Sequence, residues 1–454
     1  MLEAVVAFRR SPTTASLIAE DFPLPHIPIE RYTLPNGLRV VLSRDDRAPI
    51  VAVNLWYDVG SKHEKPGKTG FAHLFEHMMF QGSKGVAKGE HFTLVQAAGG
   101  TLNASTWLDR TNFFETLPSH ELELALWLES DRLAGLLPAM TQEKLDNQRE
   151  VVKNERRWSV DNQPYGTWDE KLQELLYPPE HPYHHSTIGS MDDLNAASLG
   201  DVSEFFATYY APNNAVLTVA GDFDRENAIR LIEKRFGPIP ANPKLPGPPD
   251  VQVEPILGSE VREIVPDKVP LPRVYLAYRM PVFGTPGFEA LEVSADLLGA
   301  GRASRLYATM VRERQLAQDV TVVAFPFVGG ATIFALWATA RPGIEADVLE
   351  EAVLAEIDRL AAEGPSDAEL ERVRNLHTAN VESSLERIAE RADRLSMYNC
   401  LFDDPGMINT EVSRYAAVTR EQVQAGMAAA LRPDNRVVLT YVPAEPDAAA
   451  ESAA

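Results

Sequence analysis

The chain has 454 residues, enough for more than one domain, because a domain usually takes about 100–200 residues. Its 43 basic and 65 acidic residues give a net charge of −22, which argues against binding of nucleic acid. Cys400 is the only cysteine, so an intrachain disulfide and a cysteine-ligated zinc site are both excluded. No stretch approaches the roughly 18 apolar residues of a membrane helix, and residues 1–28 lack the apolar run of a signal peptide. We therefore expect a cytoplasmic protein with no membrane partner.

The first predicted elements are strands. Asn36-Gly37 supplies the positive φ angles of a tight turn between β-forming residues, which predicts a hairpin over residues 31–42. Residues 50–57 predict a further strand. A polar loop over residues 60–69 then leads to a helix.

That helix, over residues 70–80, has two distinct faces. Its apolar residues follow a helical period and form a stripe that can face a core. His73, Glu76 and His77 lie on the neighbouring face, where side chains four positions apart stack and both imidazoles can bind one ion. Zn²⁺ suits two neutral imidazoles and a carboxylate with one position left for water, and Glu76 lies where it can hold that water. This H-x-x-E-H order, the inverse of H-E-x-x-H, indicates a zinc site that still needs a third ligand.

The segment after the motif predicts two helices with two strands between them. A helix over residues 89–98 ends at Gly99-Gly100, and residues 101–118 predict two strands joined around Asp109. The first strand has small side chains, so it is either an edge strand that another backbone joins or an ordinary strand of a sheet. An amphipathic helix over residues 119–136 follows.

The next predicted helix, over residues 141–159, offers two glutamates as the third ligand. Gln148 and Glu155 lie seven positions apart on one face, whereas Glu150 lies on another face. Because a charged helix is usually only solvated, the helical period alone leaves the choice between Glu150 and Glu155 open.

Four features of the chain carry a resemblance when they are taken together: His73-Leu-Phe-Glu76-His77, a glutamate at position 155, Asn103-Ala104 after Gly99-Gly100, and Asn162-Gln163-Pro164-Tyr165-Gly166. In these features the chain resembles the two-domain bacterial members of the pitrilysin/insulinase/mitochondrial-processing-peptidase family, which are zinc peptidases. The resemblance extends over about residues 31–443.

The resemblance implies roles for several of these residues. It implies that His73, His77 and Glu155 bind one Zn²⁺ per chain and that Glu76 is the general base. It also implies that the substrate is added as a strand beside the strand near residues 102–106, with Leu102, Asn103, Ala104 and Ser105 as the substrate-binding residues. The family often has a glutamate where this chain has Gln148, at a position that supports the metal ligands from behind. This departure therefore puts in doubt the fine adjustment of the metal site more than the presence of the site.

Three histidines at positions 181, 184 and 185 raise the question of a second metal site. Prolines at 178, 179 and 182 place His181, His184 and His185 on a loop rather than on one face of a helix. We therefore expect a packed loop on the substrate side and not a metal site.

An internal repeat indicates the architecture. Residues 199–219 form a helix, a Pro-Asn turn and a strand, and residues 418–440 repeat this pattern. Gly287-Phe288 matches Gly70-Phe71, and at that offset the residues of the zinc motif become Ala290, Val293 and Ser294. We predict an α+β fold with two homologous domains, each a mostly antiparallel sheet covered by helices, that face each other like a clamshell.

The predicted domain bounds follow from the repeat and from a segment rich in proline and glycine. They are an N-terminal extension (1–28), a zinc-binding catalytic domain (29–236), a linker (237–258), a C-terminal domain without metal ligands (259–446) and a tail (447–454).

The second copy has a signal of its own, in which glycines at 299 and 301 precede a helix that begins at Ser304. The resemblance implies that Arg305 and Tyr307 reach across to the substrate, where they fix its carbonyl and stabilise the tetrahedral intermediate. The long charged helices predicted over residues 347–363 and 366–399 are expected only to pack.

The sequence thus predicts a zinc metalloendopeptidase. Its substrates would be short or unfolded peptides bound in an enclosed chamber, and the chain would pair as a homodimer or with a related chain. The alternative is a non-catalytic structural or assembly subunit of the same fold. We disfavour it because such subunits typically lose motif residues, whereas Glu76 and all three metal-binding candidates are present here.

Overall fold

The computed structural model describes residues 26–444, and its first half is built on a six-stranded sheet. The strands are β1 (Glu30–Thr33), β2 (Arg39–Arg44), β3 (Ile50–Tyr57), β4 (Thr101–Thr106), β5 (Thr111–Pro118) and β6 (Ala215–Gly221). In the order β1-β2-β6-β3-β5-β4, only β2 and β6 are parallel neighbours, and β4 forms one edge. Residues 1–25 of the predicted extension and the whole predicted tail lie outside the described residues.

Eight α-helices are described in this half: α1 (Phe71–Met78), α2 (Glu90–Ala97), α3 (Leu122–Ala139), α4 (Gln142–Arg156), α5 (Trp168–Leu176), α6 (Met191–Ala196), α7 (Leu199–Tyr209) and α8 (Arg225–Phe236). The apolar stripe of α1 is buried as predicted, with Leu74, Phe75 and Met78 in the core of this half. A π-helical turn, Arg157–Asp161, continues α4.

The predicted hairpin is confirmed as β1 and β2, but the account of its turn is partly wrong. Only Gly37 has a positive φ, 87°. Asn36 acts through its side chain instead, since its Nδ2 donates hydrogen bonds to the carbonyl oxygens of Phe236 and Ile239, both at 2.8 Å. The loop therefore joins the hairpin to the end of α8.

The second half repeats this plan with a five-stranded sheet. Its strands are β7 (Val261–Asp267), β8 (Arg273–Met280), β9 (Ala317–Ala324), β10 (Thr332–Ala340) and β11 (Arg436–Pro443). In the order β7-β11-β8-β10-β9, only β7 and β11 are parallel. The helices are α9 (Pro286–Gly299), α10 (Ala346–Glu363), α11 (Asp367–Glu386), α12 (Ile388–Phe402), α13 (Glu411–Ala416) and α14 (Arg420–Ala430).

The two halves share fine detail as well as strand order. The predicted repeat is α7 and β6 in the first half and α14 and β11 in the second. Asn214 donates from Nδ2 to the carbonyl oxygens of Tyr209 and Asp58, and Asn435 donates in the same way to those of Ala430 and Arg279. The Pro-Asn turn is therefore held by equivalent hydrogen bonds in both copies.

The single helix predicted over residues 366–399 is wrong, because the chain turns at Arg387 and forms α11 and α12. No proline or glycine marks the break. The break follows from tertiary packing, since α12 lies against β3 and β6 of the other half. There Leu395 and Tyr398 of α12 join a core cluster with Val41 and Trp56.

The exchange of helices is reciprocal. Helix α5 is the third helix after β5, as α12 is the third helix after β10, so the two helices occupy equivalent places. Helix α5 packs against β8 and β11 of the second sheet. Leu172 and Leu176 of α5 share a core cluster with Tyr275 and Leu439. Each sheet is therefore covered in part by a helix from the other half.

Asp109 lies in the turn between β4 and β5, at the edge of the first sheet. It connects this turn to the loop between β9 and β10, at the edge of the second sheet. Its Oδ1 accepts hydrogen bonds from Lys62 Nζ at 3.1 Å and from Tyr183 Oη at 2.5 Å. Its Oδ2 accepts one from the backbone N–H of Val328, in the loop between β9 and β10, at 3.2 Å. The carboxylate is buried, so the two halves meet at a buried, hydrogen-bonded acidic side chain.

Within residues 26–444, no helix is long and apolar enough to cross a membrane. The cytoplasmic location stays a prediction.

Candidate metal and catalytic site

Helix α1 and the end of α4 bring the three predicted ligands together. The Nε2 atoms of His73 and His77 lie 3.3 Å apart. The Glu155 carboxylate lies 3.3 Å from His77 Nε2 and 3.7 Å from His73 Nε2. Glu150 is exposed and pairs with Lys153, so the structure selects Glu155 of the two candidates.

This donor set fits Zn²⁺ in both chemistry and spacing. Two donor atoms bound to one zinc ion at about 2.0–2.1 Å with a tetrahedral angle lie roughly 3.3–3.4 Å apart. Burial and the neighbouring His77 lower the pKa of His73 to about 4, which favours the neutral imidazole that a metal requires. The hydrogen bond to His77 lowers the pKa of Glu155 and favours its charged form. Two imidazoles and a carboxylate therefore stand ready to bind one ion.

The start of α1 is fixed by Glu64, which sequence reasoning placed only in a polar loop. The buried Glu64 carboxylate accepts hydrogen bonds from the backbone N–H groups of Gly70 at 2.9 Å and Ala72 at 2.7 Å. It also pairs with His185 Nε2 at 2.9 Å. A carboxylate at a helix N-terminus satisfies unpaired donors and complements the helix dipole. Glu64 therefore anchors the helix that carries the metal ligands.

A close backbone contact fixes the same end of α1. Gly70 and Gly189 both have positive φ, 84° and 72°. A Cβ on Gly189 would lie 2.3 Å from the backbone N of Gly70, so no side chain fits between these two backbone segments. Only glycine allows this approach without strain.

Glu76, the predicted general base, is held beside the ligands by the edge strand. Thr106 donates from Oγ1 to Glu76 Oε2 at 2.6 Å. Burial raises the pKa of Glu76, while this hydrogen bond opposes the rise. Thr106 lies just beyond the four strand residues named from the sequence. The alternation of side chains in a strand places it on the same face as Leu102 and Ala104.

The predicted substrate strand is β4, and it is an edge strand of the first sheet. Leu102 and Ala104 face the core that contains α1, while Asn103 is exposed. The backbone N–H of Ala104 is bonded to the side-chain Oδ1 of Asn103 at 2.9 Å rather than to a strand. This edge is thus open to another backbone, and the binding of a substrate here stays a prediction.

Gln148 is buried on α4, and its Nε2 donates to Asn147 Oδ1 at 3.0 Å. The structure shows no hydrogen bond between Gln148 and a metal-binding residue. The Nδ1 atom of His73 is buried without a hydrogen-bond partner among residues 26–444. In this structure Gln148 therefore does not take the place of the family glutamate that supports the metal ligands from behind.

Arg305 and Tyr307 make their contacts within the second half. Arg305 donates from Nε to Glu369 Oε1 at 2.7 Å and from Nη2 to the Gly364 carbonyl at 3.1 Å. Tyr307 packs against the core of the second half. In the described chain the structure does not bring either residue to the metal-binding cluster, so their catalytic roles stay predictions.

The three loop histidines do not converge on one point, and each is hydrogen-bonded to a different partner; the position of the loop on the substrate side stays a prediction. His181 bonds the Val251 carbonyl at 2.9 Å, His184 bonds the Tyr177 carbonyl at 2.8 Å, and His185 pairs with Glu64. Through His185 and Glu64 the loop therefore contacts the start of the helix that carries the predicted metal ligands.

A second cluster of potential ligands, His91, Glu115 and Glu129, lies buried in the first half. Arg132 pairs with Glu129 there and lies 4.2 Å from the centre of the Phe113 ring. Burial raises the pKa of Glu115 well above its usual range, which keeps that carboxyl protonated beside Glu129. The cluster is thus already close to neutral without a metal, and we assign none.

Sequence comparison defines the class of protein. A family profile described as Insulinase (Peptidase family M16) matches residues 39–179, and one described as Peptidase M16 inactive domain matches residues 196–376. Together the matches cover more than half of the chain. The first lies within the first half, and the second begins at the end of α6 in the first half and ends within α11 of the second. The chain belongs to the M16 peptidase family, and the predicted fold of two homologous α+β halves is confirmed.

Individual relatives are named as proteases. The zinc protease PqqE of Helicobacter pylori is 30% identical over 398 residues, which are 87% of each chain. An uncharacterized zinc protease of Mycobacterium leprae is 27% identical over 396 residues, again 87% of each chain. The crystal structure of a protease from Helicobacter pylori matches with a TM-score of 0.86 at 27% identity, and it covers 92% of this chain and 100% of that one.

Proposed function

We propose that this chain is a zinc-dependent endopeptidase that hydrolyses short or unfolded peptides. The observation that carries the proposal is the convergence of His73, His77 and Glu155 with Glu76 and the open edge strand β4 beside them. Relatives named as zinc proteases support the same assignment.

The residues of the chain supply distinct parts of the reaction. His73, His77 and Glu155 would hold a zinc ion, which would supply polarisation of a peptide carbonyl and a more acidic water. Glu76 takes a proton from the attacking water and passes it to the leaving amine, because its carboxylate is adjacent to the ligands and is oriented by Thr106. Strand β4 orients the peptide by main-chain hydrogen bonds, and this mode of binding requires an extended substrate.

The proposal includes one zinc ion per chain and pairing into a dimer, either with a second copy or with a related chain. The non-catalytic alternative is disfavoured because all four chemical groups are present and converge.

The test is cleavage of a peptide mixture by the purified protein and by Glu76→Gln, read by mass spectrometry. General acid–base catalysis contributes roughly 10²–10⁴-fold, so we expect a loss of that size at equal zinc content. Glu150→Gln, an exposed glutamate of α4, is the matched control and should cleave like the wild type. Equal cleavage by Glu76→Gln would refute the role of Glu76. No cleavage by zinc-loaded wild type would favour the non-catalytic subunit.

A further inference from the structure

We propose that Asp393, which the second half contributes on α12, is a positioning residue that holds edge strand β4 in place for a peptide substrate. This inference rests on the proposed peptidase function and deepens it, because it names what fixes the substrate-binding strand from outside its own half.

Three hydrogen-bond donors of the first sheet converge on one oxygen of Asp393. Its Oδ1 accepts from Trp56 Nε1 at 2.8 Å, from Asn112 Nδ2 at 2.9 Å and from Asn54 Nδ2 at 3.0 Å. Hydrogen bonds to a charged acceptor are stronger than those between neutral groups. Asp393 therefore fixes side chains of β3 and β5 on the face that α12 covers.

Asn112 transmits this contact to β4. Because its Nδ2 is directed to Asp393, its Oδ1 must point the other way, where it accepts from Ser105 Oγ at 2.7 Å. The same oxygen accepts from Arg110 Nη1 at 2.9 Å, and Arg110 Nη1 also donates to the backbone carbonyl of Ser105 at 2.9 Å. The orientation of one amide thus links Asp393 to both the side chain and the backbone of the edge strand.

Charge supports the same arrangement. The Arg110 guanidinium lies 4.9 Å from the centre of the Trp56 ring and 5.9 Å from that of Trp107. Burial lowers the pKa of Arg110, and the negative charge of Asp393 opposes this effect most among the surrounding groups. Asp393 therefore also stabilises the charge of the arginine that holds Ser105.

The opposite face of β4 is attached to the catalytic helix. Thr106 bonds Glu76 on one face of the strand, while its neighbour Ser105 is bonded toward Asp393 on the other. The strand is thus fixed between the proposed base and the second half of the chain. The second half consequently serves the site even though it contributes none of the three metal-binding residues.

The experiment measures backbone hydrogen exchange in the full-length protein without a peptide. Asp393→Asn keeps the shape of the side chain but removes its charge, and we expect roughly tenfold faster exchange of the amides of residues 101–106. Ser396→Ala is the matched control, because Ser396 lies on the same helix and donates to Thr218 Oγ1 of β6 at 2.7 Å without contacting β4. Unchanged exchange in Asp393→Asn, or an equal change in both variants, would overturn the proposal.

Ser105→Ala breaks the same path at a half-buried residue and tests it if Asp393→Asn does not fold. It should also speed exchange of residues 101–106. In peptide cleavage we expect Asp393→Asn to raise KM about 5–10-fold with kcat within about twofold. The variant that combines Asp393→Asn with Ser105→Ala should raise KM no further than the larger of the two single variants does. Additive effects, or a KM equal to that of Ser396→Ala, would contradict the linkage. Hydrogen exchange needs no substrate, so its result is separable from failure of the peptidase assignment.

Discussion

Helices α1 and α9 follow the first strands of their sheets and occupy equivalent places in the two halves, yet they differ in chemistry. On α1 the motif face carries His73, Glu76 and His77, all of them partly exposed. On α9 the matching residues are Ala290, Val293 and Ser294, all buried. The fold therefore forms equally well with an apolar helix at this place. The polar set of α1 is therefore not a requirement of the fold, which agrees with the proposed metal-binding role of its histidines.

A second pair of equivalent helices, α3 and α10, differs in another way. Both carry a Glu–Arg ion pair, but the two pairs differ in how deeply they are buried. Helix α3 carries the ion pair Glu129–Arg132, whose side chains are 0% and 1% exposed. Helix α10 carries Glu356–Arg359 at the same spacing, with Arg359 49% exposed. The same pair should therefore affect stability very differently in the two halves.

The largest effect is expected at Arg132. Arg132→Ala leaves Glu129 buried without its partner, which should cost about 3–5 kcal/mol in the free energy of unfolding. Arg359→Ala, the matched comparison, should cost clearly less, because the Arg359 side chain is 49% exposed and already solvated, although Glu356 is 7% exposed. The two losses are measured by urea unfolding, and equal losses would contradict the burial argument.

The next effect is expected at Gly189, against which α1 begins. Gly189→Ala would place a Cβ 2.3 Å from the backbone of Gly70 and should cost about 1–3 kcal/mol beyond the strain of positive φ. Gly67→Ala is the matched control, since Gly67 has a φ of 77° but no atom within 4 Å of the place a Cβ would take, and it should show only the strain of about 1–2 kcal/mol. We also expect weaker zinc binding in Gly189→Ala alone. Identical behaviour of the two variants would show that the contact does not position α1.

A smaller effect, which depends on pH, is expected at Arg305 in the second half. The hydrogen bond from Arg305 lowers the pKa of Glu369 to about 2, below its value in the unfolded chain. A lowered pKa stabilises the folded state above the unfolded pKa of roughly 4.5. This stability, about 1 kcal/mol because solvent screens the partly exposed pair, is lost as the pH falls from about 5 to 2. Arg305→Met should lose most of this stability at pH 7, and its free energy of unfolding should fall less steeply with decreasing pH than that of the wild type.

The same variant tests the catalytic role that the family resemblance implies. A fall in kcat/KM at a temperature where Arg305→Met is fully folded would support contact with the substrate. An unchanged kcat/KM would restrict Arg305 to its ion pair with Glu369.

The sequence predicted those features that local patterns determine. The helical period located α1 and its two faces, and the repeat of the Pro-Asn turn around Pro212 and Pro433 identified the two halves. Periodicity could not choose between Glu150 and Glu155, because both lie on an amphipathic, charged helix and only packing against α1 selects one. The family resemblance supplied that choice.

The features that the sequence did not reveal arise from tertiary contacts. The break at Arg387 has no proline or glycine, and it exists because α12 crosses to the first sheet. Glu64 reaches the start of α1 only when the loop folds back, and Asp393 is 281 positions from Asn112. No spacing rule links such residues, whereas Thr106 could have been found from strand alternation.

The most direct test of the account is the zinc content of the purified chain, measured by equilibrium dialysis and mass spectrometry of the metal. The wild type should bind one zinc ion, the variant His73→Ala with His77→Ala should bind none, and Glu155→Gln should bind far more weakly. His91→Ala, which changes the other buried cluster, and Glu150→Gln should both retain one ion. Zinc retained at full affinity without His73 and His77 would contradict the central claim that the first half alone holds the metal.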